Sequence, residues 1–207
     1  MNKEMENQWI RDTALIFYHI FSVDYENEEF LKKLLKGGGG NSTLCSTWTQ
    51  LSDFFIKYRI SKRAYNEIMK EIDITDRKQI IKEGNIVKIP YGIIYKKYHD
   101  KFFNNAKGAK NRREKGKCFH FDHNPSNKKV LSELRKKITN NKNKDEQEFL
   151  KKLANYIKQI QTVDLITVEE DEMRTNADLN RKDDKLSSLE RDKISNSKFY
   201  DLIIYRQ

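Results

Sequence analysis

A chain of 207 residues is long enough for one substantial domain or two small ones, and either can bury a core without covalent staples. Lysine and arginine number 41 against 31 aspartates and glutamates, a formal charge of +10 and a sequence pI near 9.4. This balance favours a polyanionic partner such as nucleic acid or an anionic membrane surface, beside the plainer reading of a highly soluble chain rich in Lys, Asn and Ile. The two cysteines, Cys45 and Cys118, are far apart and in no CxxC arrangement, which excludes a disulfide framework and a four-cysteine zinc ribbon and fits a reducing cytoplasm. The N-terminus is acidic where a secretory signal would be basic, and no stretch approaches the ~20 apolar residues that span a bilayer.

From residue 1 to 36, Trp9, Ile10, Leu15, Ile16, Phe21, Phe30, Leu31 and Leu34 recur at mostly helical spacings, predicting two helices interrupted near Asp24 to Glu29. Gly37 to Gly40, followed by Asn41 and Ser42, predicts a flexible connector, since no Gly-Lys-Ser follows to make a phosphate loop. From Thr47 onward Leu51, Phe54 and Phe55 share one helical face. Ile60 and Ser61 then suggest a turn with Ser61 as an N-cap, and Ala64, Tyr65, Ile68 and Ile72 line the next helix. This pattern resembles a helix-turn-helix, in which Lys62, Arg63 and Asn66 would lie early on the recognition helix and meet DNA; an ordinary helical hairpin with a basic face is the alternative. Residues 85–92 read as β structure and would supply the hairpin of a winged form.

Residues 93–103 predict a helix that packs the two halves together. The run from Asn104 to Lys117 has many cations and almost nothing apolar. It reads as a solvated loop placed to contact DNA phosphates, with Lys107, Lys110, Arg112, Arg113 and Lys115 as the contacting cations. Phe119 and Phe121 alternate with Cys118, His120 and Asp122 as in a short strand, and Asn124-Pro125 breaks it. Helices are expected over 128–139 and 146–161, a strand over 163–168, a polar helix over 169–180, a loosely specified charged stretch to 197, and an apolar element over 199–205.

His120-Phe121-Asp122-His123-Asn124-Pro125-Ser126-Asn127, followed by a strand at Asp164 to Val168 and an acidic helix from Glu169 to Asn176, resembles the HNH (ββα-metal) nuclease motif. The likeness covers roughly the second half of the chain. It departs in a helical insertion from Lys128 to Gln161 and in lacking the zinc-binding cysteines of many members, so no structural zinc is expected. The resemblance implies Mg²⁺ (or Mn²⁺), with Asp122 and either Glu172 or Asn176 as metal ligands and Asp171 just off their helical face. Phosphodiester hydrolysis needs a proton acceptor for water and a cation to stabilise the phosphate and the leaving oxygen. Histidine suits the first task near neutral pH. His123 is favoured as the base because Asp-His adjacency is the commoner form of the motif; His120, on the same strand face as Asp122, is its rival. Either Asn124 or Asn127 would orient the imidazole, and Arg174 or a basic-loop lysine would clamp a flanking phosphate. His19, alone in an aromatic helix, reads as structural.

The expected fold class is therefore α+β, mainly helical. Residues 1–100 would form a helix-turn-helix-like recognition region, and 101–207 an HNH core carrying a helical insertion. The implied function is Mg²⁺-dependent cleavage of double-stranded DNA, as in a type II restriction endonuclease acting as a homodimer in the cytoplasm, with no membrane role. Homing or nicking endonucleases, a non-catalytic helix-turn-helix regulator and an RNA-binding protein are the alternatives.

Overall fold

A computed structural model describes residues 3–22, 43–53, 55–103, 118–141, 145–179 and 188–206. In chain order these form α1 (Lys3–Ser22), α2 (Thr43–Ser52), β1 (Lys57–Ser61), α3 (Lys62–Glu71), α4 (Ile74–Arg77), β2 (Ile81–Glu83) and β3 (Ile86–Pro90). A π-helical turn at Ile93–Lys97 and α5 (His99–Phe102) precede β4 (Phe119–Asn124), α6 (Asn127–Thr139), α7 (Glu146–Ile157), β5 (Thr162–Thr167), α8 (Val168–Leu179), α9 (Ser188–Ile194) and β6 (Phe199–Tyr205). The class is α+β, with one mixed six-stranded sheet. None of the helices among the described residues is long and apolar enough to cross a membrane. The glycine run at 37–40, the second N-terminal helix and the basic loop lie outside the described residues.

The chain divides into two compact units, one from residues 1–56 and 125–162, the other from 57–124 and 163–207. Residues 57–100 therefore fold with the C-terminal segment, and a division at residue 100 does not describe the molecule.

The first unit is helical. Its core gathers Ile10, Ala14, Phe17 and Phe21 of α1 with Leu44 and Trp48 of α2, Leu131 and Leu134 of α6, and Phe149 and Leu153 of α7. The spacing of these residues gives each helix one apolar stripe, and burying it is what makes short helices stable. Trp48 is fully buried, edge-on to Phe17 at 5.6 Å, and its indole N–H donates to Gln161 Oε1 at 2.8 Å. Gln161 in turn donates to the Pro125 carbonyl and to Asn127 Oδ1, and Asn127 donates to Thr49 Oγ1. Every polar atom that enters this core on those side chains is thus matched.

The second unit holds the sheet, in the strand order β2-β3-β6-β1-β5-β4. Strand β6 runs parallel to β3 and antiparallel to β1, and β2 and β3 form an antiparallel hairpin turned by Gly84, whose φ of +58° suits a residue without Cβ. The stretch expected as the turn of a helix-turn-helix is instead β1. Tyr58, Arg59 and Ile60 are strand-compatible, and Ile60 pairs with Tyr200 across the ladder. The two helices that would have made the motif, α2 and α3, belong to different units. Ser61 does cap α3, its hydroxyl accepting from the Ala64 amide at 2.9 Å.

Behind the sheet, Asp76 is buried and accepts from Tyr98 Oη at 2.7 Å and Lys97 Nζ at 2.6 Å, tying α4 to the π-helical turn. The Lys97 and Tyr98 hydrogen bonds hold the Asp76 carboxyl below its ordinary range. A depressed folded pKa contributes stability above the unfolded value and loses it as pH falls through the folded one. Asp76→Asn is therefore expected to lower Tm at neutral pH, with the gap to the native chain narrowing as the pH falls below the ordinary carboxylate range in a thermal-melt series.

Candidate functional site

Strand β4 sorts its side chains by alternation. Phe119 meets Phe102 edge-on at 5.0 Å, and Phe121 stacks between Tyr95 at 5.8 Å and Phe103 at 5.0 Å. This aromatic packing commits one face of the strand to the apolar core. The intervening residues, His120 and Asp122, then share the other face, and His123 falls in phase with the phenylalanines. Strand β5 lies beside β4 in the sheet and leads directly into α8. Its last residue and the helix start are fixed locally: the Thr167 amide donates to Glu170 Oε2, and the Glu170 amide donates back to Thr167 Oγ1, a reciprocal cap.

This geometry brings one ligand atom from each of His120, Asp122 and Asp171 within 4.8 Å of one another. His120 is half-buried and the two aspartates are buried. The strand face thus pairs His120, not His123, with Asp122, and the helix contributes Asp171. Glu172, the next residue along α8, lies outside that cluster, and Asn176 is exposed one turn beyond it. Asn124 is buried at the end of β4 on the His120 face by alternation. Asn127 opens α6 in the helical unit with its amide committed to Gln161 and Thr49, which makes it a framework residue there.

Arg174 lies one helical turn after Asp171 and is fully buried. Its Nη1 donates to Asp122 Oδ2 at 3.0 Å and to Asp164 Oδ2 at 3.1 Å, and its Nη2 donates to Asp192 Oδ1 at 2.7 Å. A guanidinium so enclosed is not presented to phosphate, so the phosphate-clamp expectation for Arg174 gives way to a structural one. Arg59 completes the array, donating through Nε and Nη2 to both oxygens of Asp164 at 2.7 Å and through Nη1 to Asp192 at 3.2 Å. The Phe199 ring underlies the Arg59 guanidinium at 4.3 Å and lies 5.4 Å from that of Arg174. Burial is the strongest influence on both titrating partners. It pushes the Asp192 carboxyl up against the pull of Arg59 and Arg174, and it works against the Arg59 charge, which the bonds to Asp164 and Asp192 more than restore.

Four aspartates therefore converge with two arginines. One imidazole and two carboxylates within 4.8 Å of one another form a donor set that fits a divalent cation. Two carboxylates with water as the remaining ligands suit Mg²⁺ or Mn²⁺; an imidazole in the inner shell would shift preference towards Mn²⁺ and later metals.

Of the expected DNA contacts, Lys62, Arg63 and Asn66 are exposed on the first turns of α3. Lys107, Lys110, Arg112, Arg113 and Lys115 lie outside the described residues. The residues that pattern reading did not select are Asp171, Asp164, Asp192 and Arg59. Two signals were present in the sequence: Asp171 and Arg174 are spaced i, i+3 on one helical face, and Asp164 sits between Val163 and Leu165-Ile166, where a charge implies a buried partner.

No family model matches the chain, and no curated protein or solved structure matches it at a significant level.

Removing Arg174 while keeping its length and apolar character tests the charge array. Arg174→Met is expected to cost about 3–5 kcal/mol in urea unfolding, because it leaves buried carboxylates facing one another. Arg174→Lys restores only part of that loss, since one ammonium cannot serve three carboxylates in a fork geometry.

Proposed function

We propose that the sheet-bearing unit is the catalytic part of a divalent-metal-dependent endonuclease that hydrolyses phosphodiester bonds of double-stranded DNA. The observation that carries this reading is the convergence of His120 and Asp122 of β4 with Asp171 of α8 to within 4.8 Å. In this assignment Asp122 and Asp171 hold the cation, and His120 is the proton acceptor. A divalent cation bound there supplies charge stabilisation for the phosphate and for the departing 3′ oxygen. The water oxygen forms a bond to phosphorus, its proton passes to His120, the bond from phosphorus to the 3′ oxygen breaks, and the leaving oxygen takes a proton from solvent. Arg174, through its bond to Asp122 Oδ2, fixes the plane of that carboxylate and so acts as a positioning residue.

The charge of +10 supports a polyanionic substrate. A strand with His-x-Asp, a neighbouring strand and a following helix that donates a carboxylate also fit the ββα-metal outline. The finer reading within that class is a sequence-specific type II restriction endonuclease working as a homodimer, so that two sites cut both strands. A homing or nicking enzyme would use the same site. A non-catalytic DNA-binding regulator is the rival from a different class.

Plasmid and phage DNA incubated with the full chain and Mg²⁺ or Mn²⁺ is expected to give discrete fragments, abolished by EDTA. His120→Ala should lower the single-turnover cleavage rate by about 10²-fold or more while leaving Mn²⁺ binding within a few-fold of native, as a base and not a ligand would. Asp122→Asn and Asp171→Asn should lose both cleavage and Mn²⁺ binding, and His123→Ala should keep both. Binding without cleavage in every divalent metal would favour the regulator, and loss of activity confined to His123→Ala would overturn the assignment of the base.

A further inference from the structure

The sheet-bearing unit also carries a cleft of about 980 Å³ on a different flank of α8 from the aspartate cluster. It is bounded by α3 from Lys62 to Lys70, by Glu170 and Met173 of α8, and by residues 194–198 from the end of α9 towards β6. Along α8, Glu170 and Met173 are spaced i, i+3 and face the cleft, whereas Asp171 and Arg174, also i, i+3, face β4. One helix thus separates the two.

Four cations line the cleft, Lys62, Arg63, Lys70 and Lys198, against two carboxylates, Glu67 and Glu170. Neither acid cancels the cationic character of the opening. Glu170 is 2% exposed and is spent on internal bonds, accepting from Ser61 Oγ at 2.7 Å, Ser197 Oγ at 2.6 Å and the Thr167 amide at 2.9 Å. Among the described residues Glu67 pairs with Lys70 alone, at 3.0 Å across an exposed helix surface, a pair of small worth that a stronger anion displaces. Arg63 stands 4.0 Å from Glu169 and is half exposed. Lys62 lies over the Tyr200 ring at 5.2 Å, which stiffens the side chain without neutralising it. Lys198 is exposed at the cleft rim, and the carbonyl of the same residue accepts from the Lys62 amide at 2.7 Å, so the two lysines are held in fixed register by backbone.

The lining also says which nucleic acid fits. Among the described residues it contains Lys, Arg, Asn, Glu, Met, Ile and Ser, and no aromatic ring. Proteins that hold single strands rely on aromatic faces for base stacking, and RNA recognition relies on splayed bases in the same way. A ring-free cationic groove is suited to a backbone whose bases are stacked elsewhere, as in a duplex.

We infer that the cleft of Lys62, Arg63, Lys70 and Lys198 seats the phosphate backbone of one strand of duplex DNA, on the flank of the helix whose other face supplies Asp171. The ligand class rests on the nuclease reading; the place rests on the cleft. Lys62 and Arg63 then act as phosphate contacts, sequence-independent, rather than as base readers on a recognition helix.

Fluorescence anisotropy of a labelled duplex of about 30 base pairs, with the full chain in EDTA so that no cleavage intervenes, reads binding apart from catalysis. The triple variant Lys62→Ala, Arg63→Ala, Lys198→Ala is expected to weaken binding at least about 10-fold and to flatten the slope of log K against log salt by about 2 to 3. Lys151→Ala, Lys152→Ala, Lys158→Ala removes the same charge from exposed positions of α7 and its end, and should bind within about 2- to 3-fold of native at unchanged slope. The doubly conservative Lys62→Arg, Lys198→Arg should bind as the native chain does. Should the cleft triple fail to fold by circular dichroism, Lys198→Glu alone carries the test, with the same direction expected. Equal weakening by both triples, or none by the cleft variant, overturns the proposal. Tighter binding of a single strand or of duplex RNA to the native chain overturns the choice of duplex DNA. Failure of every metal to support cleavage, with binding still lost in the cleft triple, would remove the nuclease reading and leave the groove standing.

Discussion

The sheet-bearing unit depends on one guanidinium. Arg174 is enclosed completely and joins residues from three separate elements: Asp122 on β4, Asp164 on β5 and Asp192 on α9. A buried charge of this kind is costly unless every donor finds an acceptor, and here the acceptors are carboxylates whose own burial would be unfavourable without it. The two demands satisfy each other only in one arrangement of strand, strand and helix. Arg59 extends the array from β1 and shares Asp164 and Asp192. The polar interior therefore registers three adjacent strands and two helices, which hydrophobic contacts alone, being non-directional, would not do.

The face that carries His120 and Asp122 follows from that interior. Asp122 has its Oδ2 held by Arg174, so its orientation is set before any ligand arrives, and His120 is placed beside it by the pleat of a strand whose opposite face is locked in an aromatic stack. The site is thus built on a strand and a helix and not on loops. The aromatic packing of Phe119 and Phe121 has a chemical role at one remove: it decides which of two histidines can meet the aspartates.

Much of this was readable from residue spacing. The apolar stripes of α1, α6, α7 and α3, the strand at His120 and Asp122, the break at Pro125, the strand holding Asp164 and the helix after it all follow from periodicity, and Ser61 was recognisable as a cap. What spacing did not reveal depends on pairing between distant segments. Ile60 and Ser61 look like a turn between helices until Phe199 to Asp201 is available as a strand partner. Likewise Arg174 looks like an exposed cation on a polar helix until three carboxylates from elsewhere close around it. The choice between His120 and His123 needed the identity of the buried strand face. Two phenylalanines in phase with His123 held that information, and the adjacency of Asp122 and His123 drew attention away from it.

The placement of β6 bears on how the chain assembles. This strand is last in sequence but third in spatial order, with β3 on one side and β1 on the other. Without it the sheet is two ribbons, β2-β3 and β1-β5-β4, that share no hydrogen-bonded edge. Joining them needs contacts of long sequence separation, since Ser61 must find Phe199, and such closures are slow because the intervening chain loses much of its freedom before the contact forms. Until β6 is in place β1 and β3 each lack a hydrogen-bonded neighbour on that side, and an open strand edge is the form of surface on which β-rich chains associate.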